Sequence, residues 1–547
     1  MGAAWNNEMA RRPAIAAISR RAALAAPLLL VAGTARAQTP AETASLRLGF
    51  RTEPTSLDPH YHNATPSSQI AQHIFNTLTV QSTASLAKLE PSLAVSWRSV
   101  DPTTWEFKLR GDVHFTDGTK FVADDVVFTC QRVRSVPTPM GGFRSYLGPV
   151  VGVEAPDETT VRVHTDAPTP LLPIALSRIF ILSRKLHANA TTEAFNDGSA
   201  LIGTGPYRLV SVSGMNRLEL ERKDDAWGER PSWQRVSTRV IGNDAARLAA
   251  LLAGDVDVIE TVPTQDAGWL AHDPRVNQSP IVSQRVMYFW FDWLNHGPSP
   301  NYSDNDGKPL ARNPFLDLRV RQAFNKAIDR RAIVGRLMDG FALPAGQFMR
   351  PGEPGYDPDV KVEQYDPEAA RRLLTEAGFP RGFRLTIHGP SDRWNNDGRV
   401  VATVAQMLTR IGITTQAEAL PFAIYVPRES HGDFSFHLSG AGSWTGEGSA
   451  ALGDTLATQD PSKGWGGVNR GRYSNPEMDR LIDAAAHTLD DARREQLVVA
   501  ATELMARDVP FVLLYQEMNI WAARKGFRYI ARHDERTLAM NTEREPA

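Results

Sequence analysis

The residues best equipped for binding chemistry lie in Asp392-Arg393-Trp394-Asn395-Asn396-Asp397. This stretch falls between the end of a strand pattern and the start of a helical one, and a helix N-terminus favours anions. An Arg fork there can grip a carboxylate with two parallel hydrogen bonds, and Trp394 offers a flat apolar wall. Arg393 either reads a ligand carboxylate or pairs with Asp392 or Asp397, and both readings stay open. His60 and His62, two apart in a segment expected to be extended, would share one face and could ligate a metal. Without a third ligand, the expectation is surface or hydrogen-bonded histidines. Cys130, the single cysteine, sits in an apolar helical stretch and is expected to be a small core residue.

Motifs for covalent chemistry are missing. There is no Gly-x-Ser-x-Gly elbow, no His-Glu-x-x-His and no Walker loop, and Pro206 and Arg208 break the fingerprint that Gly203-Thr204-Gly205 begins. An enzyme reading therefore has no anchor residue, although a secreted hydrolase stays as the rival of another class. At 547 residues, 42% hydrophobic and 22% charged, the chain is long enough for several domain-sized units and is not a disordered scaffold. Residues 1–37 carry five Arg and one acidic residue, which leaves −6 on the remainder. Nucleic acid is a poor partner for such a surface.

The elements that must position these residues alternate between strand and helix patterns from Ser45 onward. Leu46, Leu48 and Phe50 alternate as in a half-buried strand, as do Trp105, Phe107 and Leu109, and Val161 and Val163; Ile70, Ile74 and Leu78 recur at helical spacing. Between Val236 and Ile259 a strand, a helix capped by Asn243 and ended by Gly254, and a second strand follow in order. Val286 to Phe291 is strand-like and leads into a turn-rich segment from Asn295 to Asn313, a natural lobe boundary. Helices are predicted over Asp317 to Ile328, Asp329 to Met338, from Asp366-Pro367 to Gly378, over Val400 to Arg410 and over Asp491 to Met505, with strands at Arg384 to Ile387 and Val509 to Tyr515. Residues 437–472 hold nine Gly with Trp444 and Trp465, and read as one long functional loop.

At the N-terminus, Arg11, Arg12, Arg20 and Arg21 precede an apolar run from Ala22 to Val31, and Ala35-Arg36-Ala37 stands before Gln38. This pattern predicts a removable secretory signal over residues 1–37, with the Sec and twin-arginine routes both open. The run is short of the ~20 residues that span a bilayer, and no Cys follows it for lipidation, so the expectation is an exported protein that neither crosses the membrane nor is anchored to it.

Several motifs in order resemble a known family: Leu57-Asp58-Pro59, Glu90-Pro91-Ser92-Leu93-Ala94, Phe115-Thr116-Asp117-Gly118, Gly203-Thr204-Gly205-Pro206-Tyr207, Asp317 to Ala323, Tyr365-Asp366-Pro367, Ala377-Gly378-Phe379 and Tyr473-Ser474-Asn475-Pro476. The chain resembles the dipeptide/oligopeptide class of ABC-transporter solute-binding proteins, family 5, over about Ser45 to Ile530. The resemblance implies an α/β, two-lobe periplasmic-binding-protein-like fold, type II, with an extra subdomain in lobe I. Lobe I is expected over 38–287, lobe II over 288–510, and a return to lobe I with the tail over 511–547. It further implies a periplasmic monomer that encloses a peptide or small solute by lobe closure and delivers it to an ABC permease at the inner membrane, with no cofactor and no turnover. Substrates of this family also include glutathione, opine-like compounds, metal chelates and haem.

Relatives that bind peptides hold the ligand's amino group with an acidic residue just after a Trp. The matching stretch here is Ser443-Trp444-Thr445-Gly446-Glu447, with Glu447 in place of Asp. The resemblance therefore makes Glu447 and Trp444 ligand contacts, beside Arg393, Trp394, Asn395 and Asp397. A buried ammonium needs such a carboxylate because its desolvation is otherwise uncompensated. Trp290, Trp293 and Trp465 are further candidate pocket walls, and the turn at Gly203 to Tyr207 is expected to be structural.

Overall fold

The computed structural model describes residues 45–137, 142–460 and 463–545. The predicted secretory signal over 1–37 lies outside the described residues. No helix among the described residues is long and apolar enough to cross a membrane.

Two long strands organise the molecule. Val276–Phe291 and Phe511–Arg524 pair antiparallel from Val276 opposite Arg524 to Trp290 opposite Phe511. The register shifts between Val282 and Val286, and again between Met287 and Tyr288. On one side of these crossing strands the sheet continues through Val258–Ile259, Ser45–Phe50, Arg235–Val240, Arg217–Arg222 and Tyr207–Ser213; on the other it continues through Phe436–Gly442, Arg384–Pro390 and Tyr302–Ser303. The cores divide in the same way. Buried members on one side come from residues 46–276 and 520–539, and those on the other from 286–515. Two lobes result, joined by the paired strands.

The first lobe carries an appended unit. Ala94–Asp101, Thr104–Leu109, Thr160–Thr165 and Val150–Asp157 form a separate antiparallel sheet, and the helix Ala123–Ser135 covers it with Val126, Cys130 and Val133. Cys130 is buried there and its thiol is pushed up to about 12 by burial, so it is inert packing.

Local chemistry sets the helix ends, at Asn243, Gly254 and Asp366 as expected. Asn243 accepts from the Ala246 amide at 2.9 Å, and Gly254 closes that helix at φ +81°, a conformation that favours glycine. Asp366 and Asn475 cap the helices that Pro367 and Pro476 open. Gly203 and Gly205 are needed for packing: a Cβ would fall 2.0 Å and 2.5 Å from the Ile74 backbone.

Three expectations are corrected. The helix containing Ile70 ends at Ile74, and Leu78 is buried beyond it. The helix predicted over Asp329 to Met338 is a short turn, Arg330–Ala332, running into a π turn at Ile333–Leu337. Residues 437–472 are not one loop. They hold the strand Phe436–Gly442 and the helix Gly448–Leu456, in which glycine provides closeness instead of mobility: Cβ atoms at Gly440 and Gly448 would lie 2.7 Å from Met287 Sδ and 2.3 Å from Val498 Cγ1. The two histidines are hydrogen-bonded, as expected, and do not converge. His60 is buried, with Nε2 2.7 Å from the Phe180 carbonyl, whereas His62 contacts Thr55 at 3.0 Å. Burial drives the His60 pKa down to about 4, so it stays neutral beside the Asp58–Arg132 pair.

Candidate functional site

The turn at Ser443 to Glu447 is fixed by its own hydroxyls. Ser443 and Thr445 each donate to the Glu447 carbonyl at 3.1 Å, and the Glu447 amide donates back to Thr445 Oγ1 at 3.1 Å. Gly446 allows the turn with φ +68°. This second-lobe turn is docked on the first lobe. Gln81 Nε2 donates to the Trp444 carbonyl at 2.9 Å, the Trp444 ring meets Tyr146 edge-on at 4.9 Å, and a Cβ on Gly446 would stand 2.5 Å from the Ala87 amide nitrogen.

Glu447 is only 4% exposed. Its Oε1 accepts from Arg494 Nε at 3.0 Å and from Ser449 at 3.1 Å, while Oε2 has no partner among the described residues. Burial raises its pKa even though Arg494 opposes the shift. Trp444 Nε1 donates to Asp454, whose carboxyl burial pushes up to about 6.

The 392–397 stretch divides its labour. Asp397 Oδ2 accepts from the amides of Arg393 and Trp394 at 2.8 Å and 3.0 Å, and Oδ1 from that of Gly398 at 2.8 Å, so this carboxylate shapes the loop. Asp392 accepts from the Phe422 amide at 2.7 Å. Of the two readings of Arg393, pairing with Asp392 or Asp397 does not form: its side chain makes no ion pair among the described residues and lies over the rings of Trp394 and Phe422 at 5.8 Å and 5.4 Å. It touches water yet is walled by protein, and desolvation, followed by the nearby Arg285, lowers its pKa. Trp394 Nε1 is buried without a partner among the described residues, and the Asn395 amide reaches Glu517 at 3.4 Å. Asn396, at φ +58°, donates across the lobes to Thr264 at 2.8 Å.

Sequence reasoning missed the charges at the crossing. Arg285 reaches Glu535 at 3.1 Å and Glu517 at 3.8 Å, and Ser283 donates to Glu535 at 2.7 Å. Burial raises the Glu517 pKa; at Glu535 burial also acts upward, but Arg285 and Ser283 outweigh it and the pKa falls. The available signal was a charged residue at Arg285 and at Glu517 inside otherwise strand-like runs. The other Trp candidates are accounted for by packing: Trp290 is core, and Trp293 donates to the Pro510 carbonyl at 3.0 Å beneath Arg321. Trp465 is partly buried against the second-lobe core, with Lys463 over its ring at 4.6 Å. Among the described residues no group of three or more His, Cys, Asp or Glu is placed to hold a metal.

Comparison with known proteins adds to this geometry. The family model described as bacterial extracellular solute-binding proteins, family 5 middle, matches residues 88–463, more than half of the chain. The chain is 27% identical over 471 residues to the heme-binding protein A of Haemophilus influenzae, covering 81% of each. It is 27% identical over 488 residues to the glutathione-binding protein GsiB of Escherichia coli K12, covering 86% of this chain and 89% of that one. Its fold matches the periplasmic binding protein DppA of Helicobacter pylori in complex with the peptide STSA, with a TM-score of 0.73 at 22% identity, covering 92% and 98% of the two chains.

Proposed function

Because the chain belongs to the bacterial extracellular solute-binding proteins of family 5, we propose that it captures a peptide or similar zwitterionic solute in the periplasm, following cleavage of its signal, and hands it to an ABC permease. The lobes run 38–287 and 288–510, with 511–547 returning to the first, and two crossing strands let them rotate with small backbone changes. A ligand that touches one lobe when open and both when closed favours closure by its extra contacts, and about 5.5 kcal/mol carries the population from 1:99 to 99:1. The closed form is what the permease reads. No covalent step is needed, and the protein acts as a monomer.

The observation that carries this reading is the docked turn: Trp444 and Gly446 meet the first lobe while the adjacent Glu447 keeps Oε2 unpartnered. Glu447 contacts the solute's amine and Trp444 walls it; Arg393, with Trp394 and Asn395, meets the opposite end, and Asp397 holds that loop in place. Glutathione has the same zwitterionic chemistry, and a glutathione-binding relative at 27% identity favours it as the second solute to try.

Titration calorimetry with the tetrapeptide STSA and with glutathione, alongside solution scattering, tests the reading. Binding should compact the protein, and Glu447→Gln should weaken it at least tenfold, about 1.4 kcal/mol, as for a charge-assisted hydrogen bond. Unchanged affinity removes Glu447 from the site. Unchanged scattering across a broad metabolite panel, or any ligand recovered chemically altered, overturns the carrier reading.

A further inference from the structure

A cavity of about 180 Å³ lies within the first lobe, and Gln72, Gln81, Trp227, Arg532, Asp534 and Arg536 are among its lining residues. Its charges do not balance. Asp534 is the one carboxylate in this lining, and Arg532 already takes it with both prongs, Nε at 2.8 Å and Nη2 at 2.6 Å. Arg536 Nε stands 3.8 Å from the same carboxylate, and its Nη1 donates to Gln72 at 2.7 Å. Arg178 joins them by donating to Gln81 at 3.5 Å, and its Nε is buried without an acceptor among the described residues. Two guanidinium groups therefore share one carboxylate with a third, Arg178, close enough to act on it, in a place where Arg532, Asp534 and Arg536 are all buried and the more distant Glu90 is the other acidic group that acts on Arg532. A fourth, Arg110, lies over the Trp227 ring at 4.5 Å.

Buried cations without counter-charge are costly, and each Arg presents a planar fork that matches carboxylate and phosphate oxygens. Burial, then repulsion from Arg178, lowers the proton affinity of Arg536, a penalty that an anion in the cavity would remove. The cavity also adjoins the lobe seam. Gln81 lines it, accepts from Arg178 and donates across the seam to the Trp444 carbonyl.

We infer that this first-lobe cavity binds the anionic group, a carboxylate or a phosphate, of the carried solute, and that Arg178, Arg532 and Arg536 hold it. The inference rests on the solute-capture reading and adds to it a chemical requirement, namely a solute with an anionic end distinct from any group read by Arg393. Through Gln81, filling the cavity favours the docked position of the Trp444 turn.

Titration calorimetry at fixed ionic strength with inorganic phosphate, citrate, glutathione and the diethyl ester of glutathione tests it, on the full exported chain. At least one anionic probe should bind and the ester should not; phosphate against citrate tells which anion fits. Arg536→Gln and Arg178→Gln should each weaken that probe at least tenfold. Arg178 is only partly buried and makes one long hydrogen bond, so its variant keeps the test available should Arg536→Gln fail to fold. Binding by none of the anions, ester binding equal to glutathione, or full affinity in both variants overturns the inference. Lobe compaction by a neutral solute in those cases would leave the carrier reading standing, so the two failures are separable.

Discussion

Two buried charge clusters flank the lobe seam, and they are opposites. On the second lobe, Glu447 faces Arg494 at 3.0 Å, and Arg494 also reaches Asp491 at 2.6 Å, so the cation there is fully occupied. On the first lobe, Arg532 and Arg536 share Asp534, Arg178 acts on it from farther away, and Arg178 Nε is left over among the described residues. Glu447 and Arg536 are both buried and both carry shifted pKa values, so neither property distinguishes a binding group from a structural one. The informative quantity is hydrogen-bonding capacity left unspent after the protein's own partners are counted: one oxygen at Glu447, against a net excess of cations in the cavity.

The largest expected effect breaks that contrast directly. Arg494→Met strands Glu447 in a buried site and should cost about 3–5 kcal/mol of stability in denaturant unfolding, as loss of one partner from a buried pair does. Arg178→Gln, which removes an uncompensated charge, should change stability by less than about 0.5 kcal/mol or raise it. Equal losses in the two variants would show that the cavity arginines are as fully paired as Arg494.

A third buried carboxylate sharpens the comparison through pH. Glu429 has its nearest cation, Arg470, at 3.8 Å and also faces His437, Tyr425 and Ser439; burial pushes its carboxyl from 4.5 up to about 7. His437 is driven down to about 3 by burial and stays neutral, so the 3.6 Å contact with Glu429 is not an ion pair. A carboxyl raised in the fold keeps its proton there while the unfolded chain releases it. Its contribution is therefore complete below about pH 4.5 and disappears as pH rises through 7, a loss of about 3 kcal/mol. The stability difference between wild type and Glu429→Gln should follow that window. A flat difference would mean that Arg470 compensates Glu429 as well as Arg494 compensates Glu447.

The docked turn gives the next effect. Gly446→Ala places a methyl against the Ala87 amide at 2.5 Å and disfavours φ +68°. Closure should suffer more than folding, with affinity for STSA or glutathione reduced at least tenfold and the thermal midpoint little changed. Retained affinity would mean that closure does not require this seam.

The same contrast explains what the sequence made legible. Local rules were readable: Asn243 and Gly254 delimit their helix, Asp366 caps its own, and Leu46, Leu48 and Phe50 mark a strand. Ordered motifs revealed the family. Partners distant in sequence were hidden, because nothing near Glu447 announces Arg494, and nothing near Arg178 announces Arg532 and Arg536 from the tail. The glycines of 437–472 misled for a related reason. Glycine signals freedom when read locally, yet Gly440 and Gly448 are required by Met287 and Val498, whose approach only the tertiary structure creates. Of the first crossing strand, only the 286–291 part was readable locally, because Pro280 and the register shift at Val282 to Val286 interrupt the pattern over 276–285.

The smallest effect isolates closure from charge altogether. Asn396 holds a left-handed conformation and spends its side-chain amide on Thr264 Oγ1 at 2.8 Å, on the other lobe, and on the Leu337 carbonyl at 3.1 Å within its own. A neutral hydrogen bond of this kind is worth about 1 kcal/mol, so Thr264→Val should shift the lobe equilibrium toward open by roughly fivefold. Asn396→Ala should do the same and also disturb the 392–397 loop through its backbone. Weaker apparent affinity for every ligand by one common factor, with scattering of the free protein shifted toward the extended form, is the outcome expected of a latch. A factor that differs between anionic and neutral probes would instead tie Thr264 to ligand chemistry, since a contact between lobes alone has no means of distinguishing one cargo from another.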